Sequence, residues 1–294
     1  MRISTGHMFD TYQSNITKSQ NEYFRIQQQI STGKKFASGS EDPLASSLSL
    51  CVRSLQSRFM QFDKNLRSAT DYAGNSEIAI GEIGNLLRNA TSLAIQGASD
   101  ALDAPARQAI ADSVSRLQDR LVSLANTQGS SSQYIFAGHK TTTKPFVVNA
   151  GTLNFNGDTN AIQVEIRSSE YLPANVANAS TLITDIYNEL ETLKSNLING
   201  SVSQLSDQSI ANLRNLQDQT HGVRAELGAR LQQIETFKAE NQRRIDDFTK
   251  DISDLEDVDL TEAFVKYQQA DSAYRAALQV ASKGMQLSLM DYLR

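Results

Sequence analysis

Between Leu44 and Ala94 an apolar residue returns every seven positions, at Val52, Phe59, Leu66, Ala73, Ile80, Leu87 and Ala94. A second series follows three places after each, at Leu55, Phe62, Ala69, Ser76, Ile83 and Ala90. Alternation by three and four is the mark of a helix buried along one narrow side. At about 1.5 Å per residue the stretch predicts a helix of roughly 75 Å. A rod of that length needs long partners.

The flanking sequence supplies them. Phe9, Tyr12, Ile16, Tyr23, Ile26 and Ile30 keep the same spacing and predict a helix over 8–31, stopped at Gly33, where glycine tolerates the left-handed conformation. A polar connector follows, and Asp42-Pro43 restarts the chain as helix: aspartate accepts from free first-turn amides, and proline there gives up no bond. Asp103-Ala104-Pro105 repeats that signal ahead of the stripe Ile110, Val114, Leu117, Leu121 and Leu124, predicting a second helix antiparallel to the first. The period then becomes two. Tyr134–Gly138, Phe146–Val148, Leu153/Phe155 and Ile162/Val164/Ile166 read as short strands, with Asn156-Gly157-Asp158 as turn between the last two.

Helix resumes over 180–199 and again over 203–256, where Leu213, Leu216, Thr220, Val223, Leu227, Leu231, Ile234, Ile245, Phe248, Ile252 and Leu255 share one seam. Asn241 interrupts that seam, either as a register device or as a tolerated polar residue. Asp259-Leu260-Thr261-Glu262 has capping-box spacing. A last helix spans 260–289, with Leu260, Phe264, Tyr267, Tyr274, Leu278, Ala281 and Met285 on its seam and Leu289 and Tyr292 close behind. The fold class is therefore mainly α with a small β insertion: a long antiparallel helical bundle built from N- and C-terminal segments. Three regions are expected: terminal helices (1–43 and 257–294), a long-helix rod (44–132 and 175–256) and the β-rich insertion (133–174). The terminal helices should pair with each other, as should the two long ones.

Composition narrows the function. Aromatics make up 7% of the chain, with no Trp and four Pro, which suits thin helical seams. A net charge of −5, with Lys and Arg scattered among acids, argues against a nucleic-acid partner. The lone Cys51 reads as a partly buried filler and can make no internal disulfide. No segment is apolar enough to span a membrane or to act as a signal-peptide core. His7, His139 and His221 lack neighbours at metal-ligand spacing, and there is no phosphate loop or nucleophile elbow. No cofactor, metal or catalytic residue is nominated, so a structural protein is expected rather than an enzyme.

Met1-Arg2-Ile3-Ser4-Thr5, Gln29–Lys35 and Glu41-Asp42-Pro43-Leu44-Ala45 closely resemble the N-terminal region of the bacterial flagellin family. Tyr134–Gly138, Gly222–Leu231 and Ser253–Glu262 resemble its later segments. The Arg-Ile-Ser-Thr opening and the Leu287–Leu293 ending look more like the family's hook–filament junction members than like flagellin itself. The resemblance implies a ring of copies between hook-associated protein one and the flagellin filament. It also implies export through the flagellar type III channel without a cleaved signal, and a chaperone masking about 260–294 beforehand. The apolar residues of the two terminal helices, Phe9 to Ile30 and Phe264 to Tyr292, would form the assembly interface. Gly33, Asp42, Pro43, Asp259 and Glu262 would shape the connectors. Ser19 and Asp271 interrupt the terminal seams, so that pair should be marginal alone and should order as neighbours add faces. The alternatives are a flagellin or, from another class, a cytosolic coiled-coil binding module.

Overall fold

The structure is a computed structural model that describes residues 5–99, 102–129, 132–176 and 178–292. Its helices are α1 (Thr5–Thr32), α2 (Pro43–Gly97), α3 (Ala104–Ala125), α4 (Ala179–Asn199), the short α5 (Val202–Gln204), α6 (Ile210–Glu256) and α7 (Leu260–Tyr292). A π-turn over Leu205–Ser209 joins α5 to α6.

The chain forms two compact units: Met1–Arg58 with Arg244–Arg294, and Phe59–Arg243. In the second, every α2 seam residue from Phe62 to Ala94 is buried, together with Leu213, Leu216, Thr220, Leu227 and Ile234 of α6. The two helices run antiparallel there: Arg224 Nε donates to Glu77 Oε1 at 2.6 Å, and Gln217 Nε2 to Thr91 Oγ1 at 2.8 Å. Asn241 is buried and donates to the Phe59 carbonyl at 2.9 Å, so the polar seam residue has a specific partner. Helices α3 and α4 pack on each other. Asp103 caps α3 by accepting from Ala106 N at 3.0 Å, and Gly200 ends α4 at φ +70°.

The structure departs from expectation in three ways, two of them in the β region. Its strands are β1 (Phe146–Asn149), β2 (Thr152–Phe155), β3 (Gln163–Arg167) and β4 (Glu170–Pro173). Tyr134–Gly138 is a turn with one bridge to Gln128, not a strand. Its amides are spent on flanking loops, Tyr134 N on Thr141 O (2.9 Å) and Ile135 N on Thr127 O (3.2 Å). Ile135, Phe136 and Ala137 are all buried, which no two-sided strand exposed to water on one face would show. Second, Asn156-Gly157-Asp158 closes no hairpin, because β1 pairs with β2 and β3 with β4. The first hairpin turns at Ala150 and Gly151, both at positive φ, and the second beside Ser169 at φ +63°. Asp158 instead staples the loop, its carboxylate accepting from His139 N (3.1 Å) and Asn160 N (3.0 Å). Third, Cys51 is exposed rather than partly buried, because Ser49 occupies the inward position.

Candidate assembly interface

The terminal unit is assembled from both ends of the chain. Helices α1 and α7 pack together with Tyr23 at the centre: its hydroxyl lies 2.8 Å from that of Tyr267, and its ring stacks 6.0 Å from Tyr274. On α1, Ile26 is buried, Tyr12, Ile16, Tyr23 and Ile30 are half-buried, and Phe9 is exposed. On α7 the buried positions are Ala263, Ala270 and Ala281, with Tyr267, Tyr274 and Ala277 partly covered. Leu260, Phe264 and Leu278, expected on the seam, face water instead. Alanines admit a closely approaching neighbour, so the small residues take the inner side and the large ones are left on a shoulder. The side chains of Met285, Leu289 and Tyr292 lie outside the described residues.

The connectors between helices are pinned to each other. Gly33, at φ +70°, ends α1 with its amide on Gln29 O at 2.9 Å. Lys35 N then donates to Glu256 O (2.6 Å) and Val258 N to Gly33 O (2.9 Å), an antiparallel bridge between residues more than two hundred positions apart. Asp42 caps α2 through Ala45 N at 2.9 Å, with Pro43 as its first residue. Asp259 caps α7, accepting from Thr261 N (2.8 Å) and Glu262 N (3.2 Å). The Glu262 side chain does not reach back as a capping box would, and pairs with Lys266 at 2.7 Å.

Around the bridge sits a knot of charge that sequence reasoning missed. Arg53 grips Glu256 with two bonds, of 3.1 and 2.7 Å. The Ser49 hydroxyl donates to the same carboxylate, and Lys34 Nζ lies 3.1 Å from it and 2.6 Å from Asp257. Ser253 Oγ donates to Asp257 at 2.5 Å. The Arg53 guanidinium, with Ser49 and Lys34, outweighs burial and holds the Glu256 carboxyl at about 2.

The unit is poorly filled. Its buried apolar side chains among the described residues are Ile26, Ile252 and three alanines. Yet among the described residues eleven of the seventeen exposed large apolar side chains belong to it: Phe9 and Phe24 on α1, four leucines at the start of α2, and five residues of α7. Their summed exposed area is about 1,000 Å², spread over three helices. Apolar exposure concentrated on one unit makes that unit the candidate for contact with other chains. Among the described residues no group of side chains could hold a metal ion, and no helix is long and apolar enough to cross a membrane.

A family model described as the bacterial flagellin N-terminal helical region matches residues 3–141. Flagellar hook-associated protein 3 of Escherichia coli (strain K12) is 26% identical over 314 aligned residues, covering 98% of this chain and 98% of its own. A Vibrio parahaemolyticus protein put forward as flagellar hook-associated shares the fold at a TM-score of 0.68 and 18% identity, over 74% of this chain and 100% of its own. The flagellar junction protein FlgL of Legionella pneumophila does so at 0.58 and 16%, over 71% and 100%.

Proposed function

The chain belongs to the bacterial flagellin family, and from that premise we propose that it is a structural subunit joining hook to filament. Copies form a ring seated on hook-associated protein one and present their other side to flagellin. The role is mechanical rather than catalytic, and its place is the flagellum. The end-to-end match to a hook-associated protein favours this over a filament subunit.

One observation carries the reading: the apolar surface of the molecule is concentrated on the unit with the thinnest core. Phe9, Phe264 and Leu278 lie on faces that neighbouring subunits cover, while Tyr12, Ile16, Tyr23, Ile26, Ile30, Tyr267 and Tyr274 hold α1 to α7 beneath them. Before assembly the α1–α7 pair is weakly held, and contact with neighbours orders it. Export in an unfolded state, with a chaperone on α7, keeps that surface from premature association.

Seeded assembly tests the proposal. Purified protein is added to isolated hooks carrying hook-associated protein one, and growth is followed by electron microscopy. A short cap that stops and then accepts flagellin is the expected result. Long filaments of this chain alone would make it a flagellin, and failure to incorporate would leave a cytosolic coiled-coil module.

A further inference from the structure

The first turns of α2 are oriented in an unusual way. Leu44, Leu48, Cys51 and Leu55 recur by four, three and four, so they form one stripe along the helix. That stripe points outward: Leu44 is 73% exposed and Leu48 48%, and Cys51 is exposed with them. The side turned to α6 carries Ser49 and Gln56, which bond Glu256 and Thr249. The stripe lies about 100° round the helix from it. From Pro43 to Phe62 there is no carboxylate, and the only charged side chains of that stretch are Arg53 and Arg58.

A second apolar line lies on α7. Leu260 and Leu278 are eighteen residues apart, five full turns, and Phe264 sits between them on the same shoulder. All three are exposed. Asp271 interrupts this line, seven residues from both Phe264 and Leu278, and is neutralised by Arg275 at 2.9 Å, as Glu262 beside it is by Lys266 at 2.7 Å. Each line is one helix wide and is left exposed by the described residues of its own chain.

We propose that these two lines are the two halves of one contact: the α2 stripe of one copy packs against the α7 shoulder of the next. The inference rests on the self-assembly reading above and adds which surfaces meet. Symmetry and the number of contacts per copy decide the pairing. The α2 stripe alone offers about 300–400 Å², so a single contact built on it falls short of the roughly 800 Å² per partner of a stable interface, and each copy needs a contact on both sides. Stripe-to-stripe pairing would close a two-fold dimer and leave the α7 shoulder in water. A head-to-tail contact uses both lines on every copy and propagates around a ring.

Cys51, the only cysteine, lies within the stripe and reports the pairing directly. Leu260→Cys, Phe264→Cys and Leu278→Cys are made singly in the full-length protein, so that the positions sample different registers. The protein is assembled on hooks and then oxidised with copper–phenanthroline. At least one variant should give a ladder of dimers, trimers and larger species on a non-reducing gel, since each copy then has two thiols facing different neighbours. Cys51→Ser in that variant should collapse the ladder to monomers, and Gly228→Cys should form none. Leu48→Asp should cut incorporation at least ten-fold with unchanged helix content in the free protein. Cys51–Cys51 dimers without a ladder would overturn the proposal, as would protection of Cys51 only when flagellin is added. Failure of even the unmodified protein to add to hooks would instead sink the assembly reading on which the proposal stands.

Discussion

Glu256 gains its charged form from folding, because Arg53, Ser49 and Lys34 converge on it and bring its carboxyl from an ordinary 4.5 to about 2. A depressed acid contributes stability that is complete above its unfolded value and is lost as pH falls. The terminal unit should therefore weaken between about pH 4.5 and pH 2, which helix signal from α1 and α7 during acid titration would reveal. Arg53 and Lys34 are nearly half exposed, so water and salt screen the cluster. Glu256→Gln should cost about 1 kcal/mol at neutral pH and flatten the acid response. An unchanged acid midpoint would refute this role for the cluster. The capping residues were legible in sequence and Glu256 was not. Gly33, Asp42 and Asp259 each bond to backbone groups within four residues, so their chemistry is local and leaves a local pattern. The Arg53–Glu256 pair joins positions 203 apart, and nothing near either residue announces the other.

Among the helices, α2 and α6 were readable because leucine, isoleucine or phenylalanine keeps recurring along their seams at heptad spacing, between the alanines and polar residues there. Helix α7 misled because its inner face is Ala263, Ala270 and Ala281, whose weak apolar signal is overshadowed by the leucines and phenylalanine beside it. The consequence can be tested. Ala270→Leu would strengthen a seam read from sequence, but in the structure it should force α1 and α7 apart and destabilise the terminal unit by about 1–3 kcal/mol. Phe264→Ala, at an exposed site, should leave the free protein within about 0.5 kcal/mol of the parent. Thermal unfolding of the two variants separates the cases, and the reverse ranking would show that the seam has been placed on the wrong side. The β insertion was legible as a region but not in its pairing. Asn156-Gly157-Asp158 carries strong turn chemistry, yet the hairpins close at Ala150-Gly151 and near Ser169, where only the backbone conformation marks them.

At the scale of the molecule the two units differ in how well they are filled. A continuous buried cluster runs from Leu66 to Ile234 in one, while the other has two isoleucines and a few alanines. Amide exchange in the free protein should accordingly be at least about a hundred-fold faster in α1 and α7 than in α3 and α4. Equal protection would mean that the terminal pair needs no neighbours to hold it. The terminal unit also draws on Met1–Arg58 and Arg244–Arg294, with 185 residues between the two pieces. A chain emerging N-terminus first therefore holds only one of the two pieces of the surface proposed for assembly until Arg244–Arg294 follows. A product cut short before Arg244 has Arg53 without Glu256, Tyr23 without Tyr267, and no α7 shoulder to offer a neighbour. If that unit is the assembly surface proposed above, competence to join a growing structure comes only with Arg244–Arg294, and shorter fragments are excluded with no separate proofreading step.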